Sequence, residues 1–238
     1  MASFNEIWDA GGDVEVKIEF RSTGYARTVT QDDIVSVKTT KDLFPNGKPT
    51  IGAAVAKSIE LSIVDPLVDG EETIPRAAEI NLWIRAVNGG DASAWVNHGL
   101  YVIDVRSRDE TLPDVLNIVG YDLMLSFEVP YVTSGSVTGW PKTDIDILDD
   151  IEARFGVQVD QDSYAAVDQG YLIQFPGYGE AAYTVREILG FIAGFYGGNW
   201  IFDDYSYLTL IEVGSETGFL VDENGNYISD STGVRIIV

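Results

Sequence analysis

The side chains that could do chemistry are few, and their spacing gives little to work with. The only histidine is His98. One imidazole does not make a typical metal site, and a nucleophilic triad would need it beside a serine. It stands just before an apolar strand pattern, so a loop residue is expected. With no cysteine, thiolate metal sites and disulfides are excluded. No G-x-S-x-G, P-loop, dinucleotide-binding glycine pattern or H-E-x-x-H occurs. Carboxylates are plentiful. Asp144, Asp146, Asp149, Asp150 and Glu152 fall in one helical stretch, where their spacing predicts a wet face, with a weak cation site as the alternative. A glycosidase pair needs two carboxyls about 5–10 Å apart, and no two stand out. Asp222-x-Asn224-x-Asn226 opens like a calcium loop. Its sixth position is Tyr227 and its twelfth Gly233, so it reads as an Asn-Gly hairpin turn. Trp83, Trp95, Trp140 and Trp200 lie near strand ends or turns, where rings can bind sugars or partners but more often fill cores. The chain is therefore expected to be no enzyme and to need no cofactor or metal.

The charge is lopsided: 15 Lys and Arg against 38 Asp and Glu, net −23 over 238 residues. Residues 1–128 carry −10 and residues 129–238 carry −13. Phosphate binding needs clusters of Lys and Arg, so a grip on nucleic acid is excluded. Negative charge keeps the chain soluble by self-repulsion. The same charge on a channel wall would let DNA pass without adhering. Hydrophobic residues make up 45 %, enough for a core. No apolar run approaches the roughly 18 residues that cross a bilayer, and the acidic start is no secretory signal.

Periodicity supplies the elements. Residues 1–12 read as an arm, free to dock on a neighbour or fold back. Strand alternation follows at Val14–Ile18, Ala26–Val29, Ile34–Val37, Ser58–Val64 and Ala78–Val87. Leu100–Val105 and Val115–Gly120 make a hairpin across the charged loop Arg106–Asp114. Tyr101, Ile103 and Val105 should share one face, and Leu100, Val102 and Asp104 the other. Gly52, Ala53, Ala54 and Ala56 permit close backbone approach, in a packed strand entry or a subunit contact. Asp65–Pro75 reads as an acidic loop. Short strands joined by turns predict a small antiparallel barrel over 13–128, whose closure would remove free edges.

Residues 129–142 are rich in Pro, Gly, Ser and Thr and read as a connection. The period then becomes helical. Thr143 or Asp144 caps a helix to Phe155, with Gly156 as its stop. Thr184 and Glu187 form a capping box for a second helix, with Tyr183 and Ile188 at the staple positions. Its stripe is Val185, Ile188, Leu189, Ile192 and Phe195 or Tyr196. Residues 143–198 thus form a smaller α/β domain. Strands at Trp200–Asp203 and Tyr207–Val213 begin a second β unit over 199–238, expected to be incomplete: the chain is cut short or another polypeptide supplies the missing sheet. The fold class is α+β, mainly β.

Two stretches carry a resemblance. One is the strand Gly99-Leu100-Tyr101-Val102-Ile103-Asp104, a charged turn, a second strand, and Gly120-Tyr121-Asp122-Leu123-Met124-Leu125. The other runs from Thr184-Val185-Arg186-Glu187 through Gly197-Gly198 to the following strand. In both, the chain resembles the N-terminal part of tail hub (tail-tip) proteins of long-tailed phages and prophages. The resemblance implies a virion structural protein assembled in the host cytoplasm. It would be a ring, a homotrimer, ending the tail tube. Partners would be tube or distal tail proteins above and a spike, fibre or tape-measure protein below, with DNA only in transit. Expected contact residues are Trp83, Ile59, Leu61, Ile63, Leu100 and Ile103. The alternative is a tail-associated carbohydrate-binding or glycan-degrading module.

Overall fold

A computed structural model describes residues 3–45, 48, 50–68, 73–109, 111–132, 139–167, 170–177 and 182–213. The expected last hairpin (Phe219–Val221 with Tyr227–Ser229), the Asp222–Asn226 turn and Val234–Val238 lie outside the described residues. The fold is α+β and mainly β. Helix α1 (Phe4–Asp9) precedes β1 (Asp13–Ser22), β2 (Tyr25–Thr30) and β3 (Ile34–Thr40). The two-residue β4 (Ala53–Ala54) leads to β5 (Ser58–Val64), β6 (Glu79–Asn88), β7 (Asp91–Ala92), β8 (Val96–Asp109) and β9 (Leu112–Tyr121). After a 3-10 turn at Leu123–Phe127 come β10 (Lys142–Thr143), α2 (Asp144–Phe155), β11 (Gln158–Val159) and α3 (Gln161–Val167). Then follow β12 (Leu172–Ile173), α4 (Val185–Phe195), β13 (Gly198–Phe202) and β14 (Tyr207–Glu212).

The arm expected at the N-terminus is the helix α1. Ser3 and Glu6 cap it reciprocally, and Ile7 is buried as the helix folds back on β6. The large sheet has the order β2-β1-β6-β8-β9-β5-β3, all neighbours antiparallel, with β7 paired to β6. Its inner face is the expected period-2 set: Ile18, Phe20, Ile59, Leu61, Ile63, Ile80, Leu82, Tyr101, Ile103, Leu116 and Ile118 form one core. This corrects the contact residues. Ile59, Leu61, Ile63 and Ile103 are at most 6 % exposed. Strand β5 is flanked by β9 and β3 rather than lying at an edge. These four side chains fill the interior and leave nothing for a partner to touch.

The expected barrel is not closed by hydrogen bonds. Among the described residues β2 and β3 end the ladder and do not pair with each other. Yet Val29 of β2 and Val37 of β3 pack on the same core, so the sheet curls. One end of the curl is held by Asp65, read from sequence as part of a loop but only 1 % exposed. Arg27 of β2 pairs with it, Arg108 of β8 bonds it at 2.9 Å, and the Thr73 hydroxyl donates at 2.7 Å. A bulge at Asp104 makes this possible. Opposite Gly120 and Val119 stand Ile103 and Val105, so one residue is extra and the alternation flips. Val105, expected to share a face with Tyr101 and Ile103, is 52 % exposed while those two are buried. Arg106 and Arg108 then turn toward Ile74 and Asp65. The predicted Arg106–Asp114 loop is instead mostly strand, with Asp109 opposite Leu112.

The second unit is a four-stranded sheet, β11-β14-β13-β4, covered by the helices. Strand β4 belongs to the stretch between β3 and β5, yet it pairs with β13. The two units are therefore interlocked, and 13–128 is not self-contained. The expected break at 198/199 falls inside β13, so 199–213 belongs with 143–198. The connection is partly structured: Val129 and Tyr131 exchange backbone hydrogen bonds with Val185 and Tyr183. Helix α2 starts and stops as predicted, with a Thr143–Asp146 capping box and left-handed Gly156. Between them α3 and β11 replace the irregular stretch expected at 157–169.

The small residues at 52–56 make an approach within the chain. A Cβ on Gly190 of α4 would lie 2.8 Å from the Gly52 carbonyl oxygen, whereas one on Gly194 would meet the Gly52 Cα at an ordinary 3.7 Å. Gly190→Ala should therefore destabilise by about 1–3 kcal/mol. Gly194→Ala should be neutral or stabilising by up to about 1 kcal/mol, because alanine favours helix. Urea denaturation of the two variants checks the contrast. Asp65→Asn should cost about 3 kcal/mol, since two largely buried guanidiniums lose their counter-charge. Burial alone would raise the Asp65 pKa, but Thr73, Arg27 and Arg108 hold it below the usual carboxylate range. The stabilisation is present above the ordinary carboxylate pKa and should fade as pH falls through the depressed one. The gap between wild type and variant should narrow in acid accordingly.

Candidate functional site

His98 is not in a loop. It sits in β8 at a bulge, where Asn81 and Trp83 of β6 face Leu100 and Asn97. The extra residue and the positive φ of Gly99 swing the imidazole off the strand's normal direction. It points toward Asp204, in the turn between β13 and β14, at 3.6 Å. Lys41 reaches the same carboxylate at 2.5 Å and Lys57 at 3.2 Å. One carboxylate from the second unit thus lies among three bases from the large sheet and its β3–β5 connection. Burial and the charges of Lys41 and Lys57 lower the His98 pKa against the pull of Asp204. Burial would raise the Asp204 pKa, but the bonds and charges of Lys41 and Lys57 outweigh it. The arrangement is an ion-pair junction that ties two sheets together.

Asp122 extends the junction inward. It is 3 % exposed, and its two oxygens accept from the Lys57 amide at 3.0 Å and the Met124 amide at 3.1 Å. Burial pushes its pKa up to about 6 despite those donors and the Lys57 charge. Sequence reasoning missed this cluster because Asp204 stands 147 residues from Lys57 and 163 from Lys41, and no local pattern links them.

The α2 carboxylates are not simply a wet face. Asp144 is buried and accepts from the Tyr196 hydroxyl. Asp150 accepts from the Tyr131 hydroxyl at 2.7 Å and pairs with Lys142. Asp149 accepts from Tyr164, and Glu152 accepts the Val159 amide at 2.6 Å. Asp146 caps its own helix. These groups join α2 to its neighbours. Among the described residues no group of three His, Asp or Glu could hold a metal ion.

Trp83 and Leu100, the remaining expected contact residues, lie half-exposed on the outer face of the large sheet. The Lys17 ammonium stands 5.1 Å from both the Trp83 and Trp95 ring centres, and the Arg85 guanidinium 4.6 Å from Trp95. Glu19 and Glu15 neutralise these cations, and Glu60 pairs with Lys38. This face is balanced in charge. The acidic surplus shows instead at turns and strand ends, as at the exposed Asp32, Asp33, Asp91 and Asp114. Trp200 is wholly buried in the second core. A cleft of about 360 Å³ beside Arg85 and Asp91 and one of about 440 Å³ beside Arg186 and Phe191 contain none of the junction residues.

The geometry defines a class: a curled, open antiparallel sheet interlocked with a smaller α/β unit. No family model matches the chain, and no curated protein matches it. Among solved structures the chain is similar to the 43 kDa tail protein of prophage MuSo2 from Shewanella oneidensis. The TM-score is 0.53 at 18 % identity, over 86 % of this chain and 55 % of that one. The likeness is one of fold, and this chain spans about half of that protein's length. No helix among the described residues is long and apolar enough to cross a membrane.

The raised pKa of Asp122 gives a signed expectation. The folded state holds this proton more tightly than the unfolded chain does. Its contribution is full below the ordinary carboxylate pKa and is lost as pH rises through about 6. Asp122→Asn carries a constant cost for the lost acceptor, but the wild type should lose up to about 3 kcal/mol relative to it between about pH 4 and pH 7. Chemical denaturation across that range reads the slope difference; parallel curves would rule it out.

Proposed function

We propose that the protein is a structural component of a phage tail tip, forming the hub ring that ends the tail tube. The observation that carries this reading is the fold shared with a prophage tail protein over 86 % of the chain. The open sheet supports it. Strands β2 and β3 leave backbone donors and acceptors unused at both ends of one ladder. A head-to-tail contact between different surfaces closes into a ring when the rotation allows, and three copies is the number proposed here. The half-exposed Trp83 and Leu100 are the proposed contact side chains, because large aromatics on a charge-balanced face can be desolvated at modest cost.

In this reading the ring holds the tube end and lets tape measure and DNA pass. Tube or distal tail proteins would sit on one side and a spike or fibre on the other. The net charge of −23 acts by repelling phosphate, so DNA in transit is not retained. The ring's work is mechanical and needs no catalytic group.

Imaging of the purified chain by negative stain, with mass from light scattering, should show closed rings. Trp83→Ala should weaken assembly at least tenfold while leaving the circular dichroism spectrum intact, as loss of an interfacial aromatic typically does. Particles that stay monomeric at all concentrations would overturn the ring.

A further inference from the structure

The turn between β6 and β7 is Asn88-Gly89-Gly90-Asp91, and all four residues are exposed. Gly89 and Gly90 have φ of +57° and +104°, the backbone of a tight primed hairpin turn. An asparagine followed by glycine is chemically labile. With no side chain on the second residue, its backbone nitrogen can reach the asparagine amide carbon. A Cβ on Gly89 would meet no atom within 4 Å, so the fold does not crowd this nitrogen. Asn88 pairs across the ladder with Asp91, and β7 is only two residues long. Little pairing has to open for the tip to bend into the reactive geometry.

The Asn88 amide also has a structural task. Its Nδ2 donates to the carbonyl of Ala10, the C-cap of α1, at 3.2 Å. The chain leaving α1 lies close against β6 here: a Cβ on Gly12 would stand 2.8 Å from both the Ile7 and the Val87 carbonyl oxygens. The surroundings are acidic. Asp13, Glu15 and Asp91 line the cleft beside Asn88, and its cation, Arg85, is already bound to Glu15.

We propose that Asn88 is a site of spontaneous deamidation, and that its conversion loosens α1 from the large sheet. The Gly89 nitrogen attacks the Asn88 Cγ, the bond from Cγ to Nδ2 breaks, and the amide nitrogen leaves as ammonia with the proton from Gly89. Water then opens the resulting succinimide at either carbonyl, giving aspartate or isoaspartate. Nothing is oxidised or reduced, and water is the only co-reactant. The product is a carboxylate where a donor stood. It cannot donate to the Ala10 carbonyl, and it sets negative charge against the carbonyl end of α1. It also faces Asp91 directly across the hairpin, where like charges destabilise a strand pair. The inference is independent of the ring reading.

The test incubates the full chain at mildly alkaline pH in water enriched in oxygen-18 and follows each peptide by mass spectrometry. The peptides bearing Asn46-Gly47 and Asn224-Gly225 serve as references within the same chain. The Asn88 peptide should take up one heavy oxygen as it loses ammonia. Hydrogen exchange of the α1 amides in the same samples should quicken about tenfold, as expected when one hydrogen bond is replaced by repulsion. The variant Asn88→Asp should show that faster exchange without incubation. If the Asn88 peptide stays unlabelled while a free synthetic peptide of the same sequence converts, the site is overturned. If it converts and α1 exchange is unchanged, the coupling to α1 is overturned. Should Asn88→Asp not fold, the incubated wild type decides alone.

Discussion

A buried carboxylate keeps the large sheet curled. The ladder ends at β2 and β3 without closing, so twist alone would leave an open surface. Asp65 draws Arg27 from one edge strand and Arg108 from the middle of the sheet to a single point, with Thr73 completing its shell. The buried carboxylate is tolerated because two guanidiniums give it directed, charge-assisted hydrogen bonds, while Arg27 and Arg108 keep 28 % and 12 % of their side chains open to water. The bulge at Asp104 belongs to the same device, since without it Arg108 would face water. Side chains thus do at one end what strand pairing does in a closed barrel, and the edges stay free.

The second constraint is the exchange of β4. The chain leaves the large sheet after β3, lends two residues to the other sheet and returns at β5. Asn199, wholly buried, holds this excursion: its carbonyl accepts the Ala53 amide, and its amide donates to the Leu43 and Thr50 carbonyls. The Asp204 junction then fixes the other side of the excursion through Lys41 and Lys57. Neither unit can swing away without breaking backbone pairing and an ion cluster together. The pair is expected to move as one body.

What could be read from sequence was local. Both long helices were legible because caps lie three residues apart and stripes four. The strand pairs around Gly89-Gly90 and Tyr205 were legible from turn chemistry and alternation. The Asp65, Asp204 and β4 features escaped because their partners are distant in sequence, and no periodicity records that. A bulge defeated the face assignment of Val105, since one inserted residue inverts a period of two, and another lies at His98 within β8, where a loop was expected. The placement of Ile59, Leu61, Ile63 and Ile103 escaped for a related reason. Alternation shows which side chains share a face, but not whether that face is core or surface. The burial of Ile59, Leu61, Ile63 and Ile103 settles that.

The distribution of charge bears on whether an acidic chain could assemble in the way proposed above. Repulsion between copies is a surface effect, softened by salt over about 10 Å. It matters only where like charges approach within that range. On the outer face of the large sheet each cation is matched: Lys17 with Glu19, Arg85 with Glu15, Lys38 with Glu60. The surplus lies at turns and sheet ends, as at Asp32, Asp33 and Asp114. Copies meeting through the outer sheet face, as proposed above, would leave those carboxylates outside the contact. Wherever those ends border an opening, they would present a repulsive rim to a polyanion. In the proposed ring the same negative charge would be compatible with cohesion between subunits and with free passage between them.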